Sequence, residues 1–295
     1  MKVVDPHIHL WDTREMSSSW LEKPGVGFSG DYRLLPQPYD VAAFKRDAGD
    51  VEVTMSVDVE ANSADPLGEA QWLQGLADAP ENGGHPHGIV AGADLSDAGA
   101  VRLLEQLTTC PNVRGIRQIL NVHADKRFDG VGRHYVREPQ WRENLSQIVR
   151  FGWSFDLQIY PSQVMDVLEA VDANPNLLFI VNHAGMFVDR NSVRGDREWR
   201  DGLRSLAARA NVVIKLSGFA MFDHHWTVES FRPYVLEAID AFGADRCMFA
   251  SNFPIDGLHG SYSSLWSAYA DIVSGASEDE RAGLFRANAI RYYKL

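Results

Sequence analysis

Eight short β-rich runs, each followed by a stretch long enough to form a crossover helix, predict a single-domain (β/α)8 barrel of the TIM type. Two further observations support that fold class. The chain has 295 residues, slightly more than the roughly 250 of a typical barrel. Its first run, "KVVDPHIHL", leads into no glycine-rich turn of the kind that opens a doubly wound nucleotide-binding sheet. No repeat, low-complexity tract or linker divides the chain, so residues 1–295 read as one domain.

The first run carries Asp5, His7 and His9 and is followed by a long irregular connection, residues 12–38, rich in proline, glycine and aromatics. Structureless loops of that length are usually functional or disordered. Leaving a strand's C-terminal end, this one is expected over the face where barrel active sites sit, with Trp20, Phe28 and Tyr32 either walling a pocket or pinning the loop to the rim. The remaining runs follow in order: "VEVTMSVDVEA", "HGIVAGADL", "VRGIRQIL", "SFDLQIY", "LLFIVNHAG", "NVVIKLSG" and "CMFASNFP". Residues 65–79, 98–108, 140–151, 161–174, 198–210 and 228–242 are the helical stretches between them. Side chains two apart on a strand share a face, and the polar residues keep step: Asp5, His7 and His9; Thr54, Ser56, Asp58 and Glu60; Asp156, Gln158 and Tyr160; Lys215 and Ser217. That parity is expected to turn them into the barrel, where polar groups are costly unless they bind something or one another.

With 28 Lys and Arg against 40 Asp and Glu, the formal net charge of -12 opposes a phosphate backbone or an anionic lipid surface. A small-molecule substrate is the partner to expect, and assembly into a homo-oligomer is left open. Cys110 and Cys247 are too few for a disulfide framework and form no CxxC pair, which suits a reducing cytoplasm. No apolar run approaches the ~20 residues of a membrane span, and no apolar leader segment precedes the first run.

At one mouth the pattern gathers the imidazoles of His7, His9 and His183, the cations Arg117 and Lys215, and the amides of Gln158 and Asn252. A lone strand-end histidine is more often structural than functional. Two on one strand face can address a single ion or substrate oxygen together. Arg117 is favoured over Arg114 as the pocket residue because it lies nearer the strand's C-terminal end, with the other a structural ion-pair partner. Lys215 is open to pairing with Asp58 or Glu60, and Asp256 reads as a surface cap unless its loop folds back.

The HxH of the first strand, "NHAG" in the sixth, "KLSG" in the seventh and "FASNFP" in the eighth together resemble the amidohydrolase superfamily, in its amidohydrolase-2 branch of sugar lactonases and 2-pyrone-4,6-dicarboxylate lactonase. The resemblance runs over the whole chain. It implies that His7, His9 and His183 hold a zinc ion or bind substrate directly, and that Arg117 binds a substrate carboxylate or lactone oxygen. Gln158, Tyr160 and Trp20 are the further substrate contacts expected, and His7, His9, His183, Asn252 and Lys215 the catalytic group. Where the superfamily usually places a proton-accepting aspartate, this chain has Asn252, and an amide is neither a base nor a charged ligand. Gln158 stands where binuclear members have a histidine, and the fourth strand has no lysine to carbamylate. The resemblance therefore implies at most one divalent ion, zinc, and allows none. The activity expected is opening of a small carboxylated or polyhydroxylated lactone by water. The alternatives are a zinc-dependent decarboxylase of an aromatic or muconate-type acid, and a catalytically impaired ligand-binding barrel.

Overall fold

A computed structural model describes residues 1–295. Eight parallel strands follow one another in sequence order around the sheet: β1 (Lys2–Ile8), β2 (Glu52–Val59), β3 (Gly88–Gly92), β4 (Val113–Ile119), β5 (Ser154–Gln158), β6 (Phe179–Val181), β7 (Val212–Leu216) and β8 (Cys247–Phe249). The ring closes just past β8, where Ile8 bridges Phe253 in parallel. Two hydrogen bonds of 2.8 Å secure the seam, His9 N–H to the Phe253 carbonyl and Asn252 N–H to the His7 carbonyl. Closure thus sets the backbones of positions 7, 9 and 252 side by side.

Each strand is followed by its helix: α1 (Val41–Ala48), α2 (Pro66–Asp78), α3 (Ala100–Leu107), α4 (Pro139–Gln147), α5 (Val164–Ala173), α6 (Val193–Ala207), α7 (Val228–Phe242) and α8 (Tyr262–Ile272). Capping explains several of the starts. Asp65 accepts from Gly68 N–H at 3.0 Å, with Pro66 at the first helical position. α6 begins at Val193 rather than at 198 because Ser192 Oγ accepts from Gly195 N–H at 2.9 Å, a cap that lengthens the helix beyond its apolar pattern.

Inside the barrel, Val4, Val57, Val59, Val90, Ile180, Val213 and Met248 form an apolar floor, sealed by Ala289 and Tyr293 of a last helix, α9 (Asn288–Tyr293). That floor corrects the expected parity of two strands. Val57 and Val59 of β2 face inward, so Ser56 and Asp58 face the helices, where Ser56 Oγ meets His85 Nδ1 at 2.8 Å and Asp58 Oδ2 accepts from Leu10 N–H at 2.6 Å. Only Glu60, past the end of β2, turns to the mouth. In β1 the pairing with β2 shifts register between Asp5 and Ile8, and Asp5 leaves the histidines to accept from the Tyr262 hydroxyl of α8 at 2.8 Å. In β5 and β7 the expected parity holds for Asp156, Gln158 and Lys215.

The connection after β1 is compact. It contains a helical turn, Ser19–Glu22, and a small hairpin pairing Val26–Gly27 with Gly30–Asp31. Its ends are joined by paired backbone bonds between Trp11 and Tyr39 at 2.9 Å.

Candidate active site

At the C-terminal mouth lies a cavity of ≈ 500 Å³, lined by His9, His183 and Asn252 on one side, Glu60, Arg117 and Gln158 on another, and Trp20, Phe28, Tyr32, Phe128 and Tyr160 around the rim. The connection after β1 supplies three of those aromatics. Trp20 serves both purposes the sequence left open, since it faces the cavity while its indole N–H donates to the Ala61 carbonyl at 2.9 Å. Tyr160 likewise lines the cavity and donates to the Phe128 carbonyl at 2.8 Å.

The three imidazoles meet. His7 and His9 approach Nε2 to Nε2 at 3.3 Å, and the His7 and His183 ring centres are 4.5 Å apart. Each ring has a distinct outer partner: Val59 O at 2.5 Å from His9 Nδ1, Ser217 Oγ at 3.1 Å from His183 Nδ1, and Lys215 Nζ at 3.3 Å from His7 Nδ1. A carbonyl only accepts, so His9 carries its proton on Nδ1 and turns its Nε2 lone pair inward, where His7 Nε2 lies 3.3 Å away. Burial pushes all three pKa values down, helped by Lys215 at His7 and by Arg117 at His9 and His183; His9 falls to about 3. Neutral imidazoles are what a metal ion or a hydrogen-bond donor on a substrate requires.

Behind them is a buried ion pair. Lys215 Nζ lies 2.6 Å from Asp156 Oδ2, 3.1 Å from the Pro6 carbonyl and 3.3 Å from His7 Nδ1, which matches the three donors of an ammonium with three acceptors. Asp156 also accepts from the Tyr293 hydroxyl at 2.9 Å and from Asn182 Nδ2 at 3.0 Å. Lys215 therefore pairs with Asp156 and not with Asp58 or Glu60. Both Lys215 and His7 are fully buried and lie outside the cavity lining, so Lys215 reaches the mouth only through His7.

Arg117, not Arg114, makes the ion pair. Its Nε is 2.6 Å from Glu60 Oε1, one terminal nitrogen is 2.5 Å from the Glu60 carbonyl and the other is 3.0 Å from Gln158 Oε1. Arg114 instead bonds the carbonyls of Pro111 at 2.6 Å and Lys294 at 3.2 Å. Of the five guanidinium N–H groups three are engaged, which leaves two for a ligand. Asp256 is no surface cap: its loop folds back, and the buried carboxyl accepts from Asn252 Nδ2 at 2.7 Å. Burial raises its pKa to about 7, against the lowering effect of the Asn252 bond. Glu60 and Asp256 are the site residues the pattern undervalued; the spacing Asn252-x3-Asp256 was the available signal for the second.

Two of the imidazole nitrogens have the spacing of ligands to one divalent ion. Nitrogen ligands of a tetrahedral zinc sit roughly 3.4 Å apart, close to the 3.3 Å between His7 and His9 Nε2. No three His, Cys, Asp or Glu side chains converge as a preformed ligand set. With Lys215 donating to Nδ1, neutral His7 keeps its proton on Nε2, so ligation there requires one proton to leave the pair.

A family model described as Amidohydrolase matches residues 4–295. The chain belongs to the amidohydrolase family. This amidohydrolase is 41% identical over 299 residues to the uncharacterized protein y4mH of Sinorhizobium fredii, covering 99% of this chain and 98% of that one. It is 24% identical to an L-fucono-1,5-lactonase of Burkholderia ambifaria over 99% of this chain and 95% of the relative. Among solved structures, an amidohydrolase of Burkholderia multivorans with bound zinc superposes with a TM-score of 0.83 at 23% identity, each chain covered in full. By family the protein is a hydrolase. No helix is long and apolar enough to cross a membrane.

Proposed function

We propose that this amidohydrolase opens a small neutral, polyhydroxylated lactone by water attack on the ring carbonyl. The observation that carries the reading is the Glu60–Arg117 pair in the cavity wall, joined at 2.6 Å. Glu60 cancels the guanidinium charge, so the wall offers spare N–H donors without the net cation that a carboxylated ring would need. The lactonase relatives support the ester bond as the target. The walls suit hydroxyl groups, with Gln158 and Glu60 among the hydrogen-bonding side chains and Trp20, Phe28 and Tyr160 to pack against a ring face.

In this reading the spare Arg117 N–H groups stabilise the oxygen that becomes negative as the carbonyl turns tetrahedral. His9 Nε2, giving up its contact with His7, accepts a hydrogen bond from the attacking water and passes the proton to the departing ring oxygen. With a pKa near 3, His9 holds that proton only fleetingly, which an ester tolerates better than an amide because its leaving group departs more readily. At most one divalent ion, zinc, held by His7, His9 and His183, would supply Lewis-acid polarisation when bound, and His9 Nε2 would then serve as its ligand instead of as the proton acceptor. Asn252 contributes an amide beside His9 and no base.

The test is a panel of neutral sugar lactones and carboxylated lactones, assayed with chelator and with added zinc. Turnover of neutral lactones is expected to exceed that of carboxylated ones, and Glu60→Gln should unmask Arg117 and move the kcat/KM ratio toward the carboxylated substrates by at least about tenfold. No turnover of any lactone, with carbon dioxide released from an aromatic acid instead, replaces this reading with the decarboxylase.

A further inference from the structure

We infer that Asp256 is a positioning residue: through its hydrogen bond to Asn252 it fixes the amide with its oxygen toward the cavity. An asparagine amide is ambiguous by half a turn, and one orientation offers an acceptor where the other offers two donors. Here the choice is made by a second side chain four residues on. Asp256 Oδ1 lies 2.7 Å from Asn252 Nδ2, and both groups are buried. Carboxyl oxygen accepts from the amide nitrogen whether Asp256 is ionised or carries its proton on Oδ2, so the NH2 end is held away from the mouth.

The opposite end, the amide oxygen, is thereby left toward the cavity that Asn252 lines together with His9. The backbone that carries this amide is fixed as well. Its N–H is committed to the His7 carbonyl at 2.8 Å in the barrel seam, its carbonyl accepts from Asp256 N–H at 3.1 Å, and its φ of +58° is a left-handed conformation that Asn adopts more readily than most residues. Asp256 is held in turn by Ala220 N–H, at the longer distance of 3.4 Å, from the turn after β7. The carboxylate that the resemblance places at the end of the eighth strand thus stands one turn later, and what it presents to the cavity is a neutral oxygen of fixed direction. That oxygen can orient an attacking water without competing for its proton.

This inference deepens the lactone reading in its catalytic arm and rests on it there; its structural arm does not. In the structural arm, the side-chain amide protons of Asn252, identified by their loss in Asn252→Ala, are followed by NMR hydrogen exchange. Protection is expected in the wild type and in Asp256→Asn, whose own amide oxygen still accepts, and loss of protection in Asp256→Leu. In the catalytic arm, Asp256→Leu should lower kcat by roughly 10- to 100-fold, the size of effect that misplaced reacting groups produce, with KM within about threefold, and Asp256→Asn should restore most of it. A protected amide in Asp256→Leu overturns the proposal, as does an Asp256→Asn variant as impaired as Asp256→Leu in both arms. If exchange behaves as expected while no lactone is hydrolysed, the positioning role stands and the lactone reading falls.

Discussion

Val213 and Lys215 stand two residues apart on the same face of β7, one level below the other inside the barrel. Val213 packs against Val4, Val90, Ile180 and Met248 under the lid of α9, whereas Lys215 holds Asp156 at 2.6 Å and abuts His7 at 3.3 Å. The same alternation separates Ile180 from Asn182 in the chain leaving β6. Below this level the strands bury hydrocarbon, each valine or isoleucine stabilising the fold by about 1.5–3 kcal/mol. Above it they bury charge, which costs desolvation and is tolerable only because every donor of Lys215 finds an acceptor. Tyr293 belongs to both levels: its ring packs in the floor and its hydroxyl reaches Asp156 at 2.9 Å. The floor contributes stability, and the mouth spends some of it to keep three imidazoles neutral and oriented.

Breaking the charged level should produce the largest effect. Lys215→Met leaves Asp156 buried with only the Tyr293 hydroxyl and the Asn182 amide as partners, and is expected to cost 3–5 kcal/mol, read as a lowered midpoint in urea unfolding. The double variant Lys215→Met/Asp156→Leu should recover much of that loss, since an apolar pair suits the adjoining floor. Activity should not return with it, because His7 Nδ1 has lost its donor. Recovery of both would mean that the ion pair is structural alone and that His7 is oriented without it.

The contrast between levels also explains what the sequence revealed. The barrel was legible from strand spacing, and the meeting of His7, His9 and His183 followed from their positions at strand ends. Parity succeeded in β5 and β7, which run regularly, and failed in β1, where the register shift frees Asp5 from the histidines. It failed in β2 because Ser56 and Asp58 satisfy themselves against His85 and the Leu10 backbone on the helix side, a choice no alternation rule encodes. The partner of Lys215 was hidden for another reason: Asp58 and Glu60 share the expected inward parity with Asp156, and only the turning of Asp58 to the Leu10 backbone and the pairing of Glu60 with Arg117 leave Asp156 to Lys215. Arg117 was recognised as a cavity residue, but its neutralisation by Glu60, 57 positions away, depends on how the chain turns beyond β2.

The floor offers the converse experiment. Ile180→Ala removes three heavy atoms from a fully buried site in the apolar cluster, with an expected loss of about 3 kcal/mol. KM and kcat at temperatures where the variant remains folded should stay within about twofold of wild type, because none of the floor residues lines the cavity. A marked change in KM would show that the floor transmits packing strain to the mouth and that the two levels are one cooperative unit.

The smallest effect distinguishes the levels by pH. His9 stays neutral in the native protein down to about pH 3, while in the unfolded chain it takes up a proton below its ordinary value of 6.5. Between those limits the unfolded state binds more protons, so stability falls as the pH drops from 6.5 toward 3, and the contribution of His9 is fully lost only below about 3. At pH 5 its share of the loss is about 2 kcal/mol relative to pH 7. His9→Gln cannot take up that proton, so its unfolding midpoint should decline less between pH 7 and 5 than that of the wild type. Ile180→Ala, which alters no titrating group, should decline in parallel with the wild type from its lower starting point. A His9→Gln curve parallel to both would place the acid sensitivity elsewhere and would mean that the imidazole at position 9 is not held neutral by its surroundings.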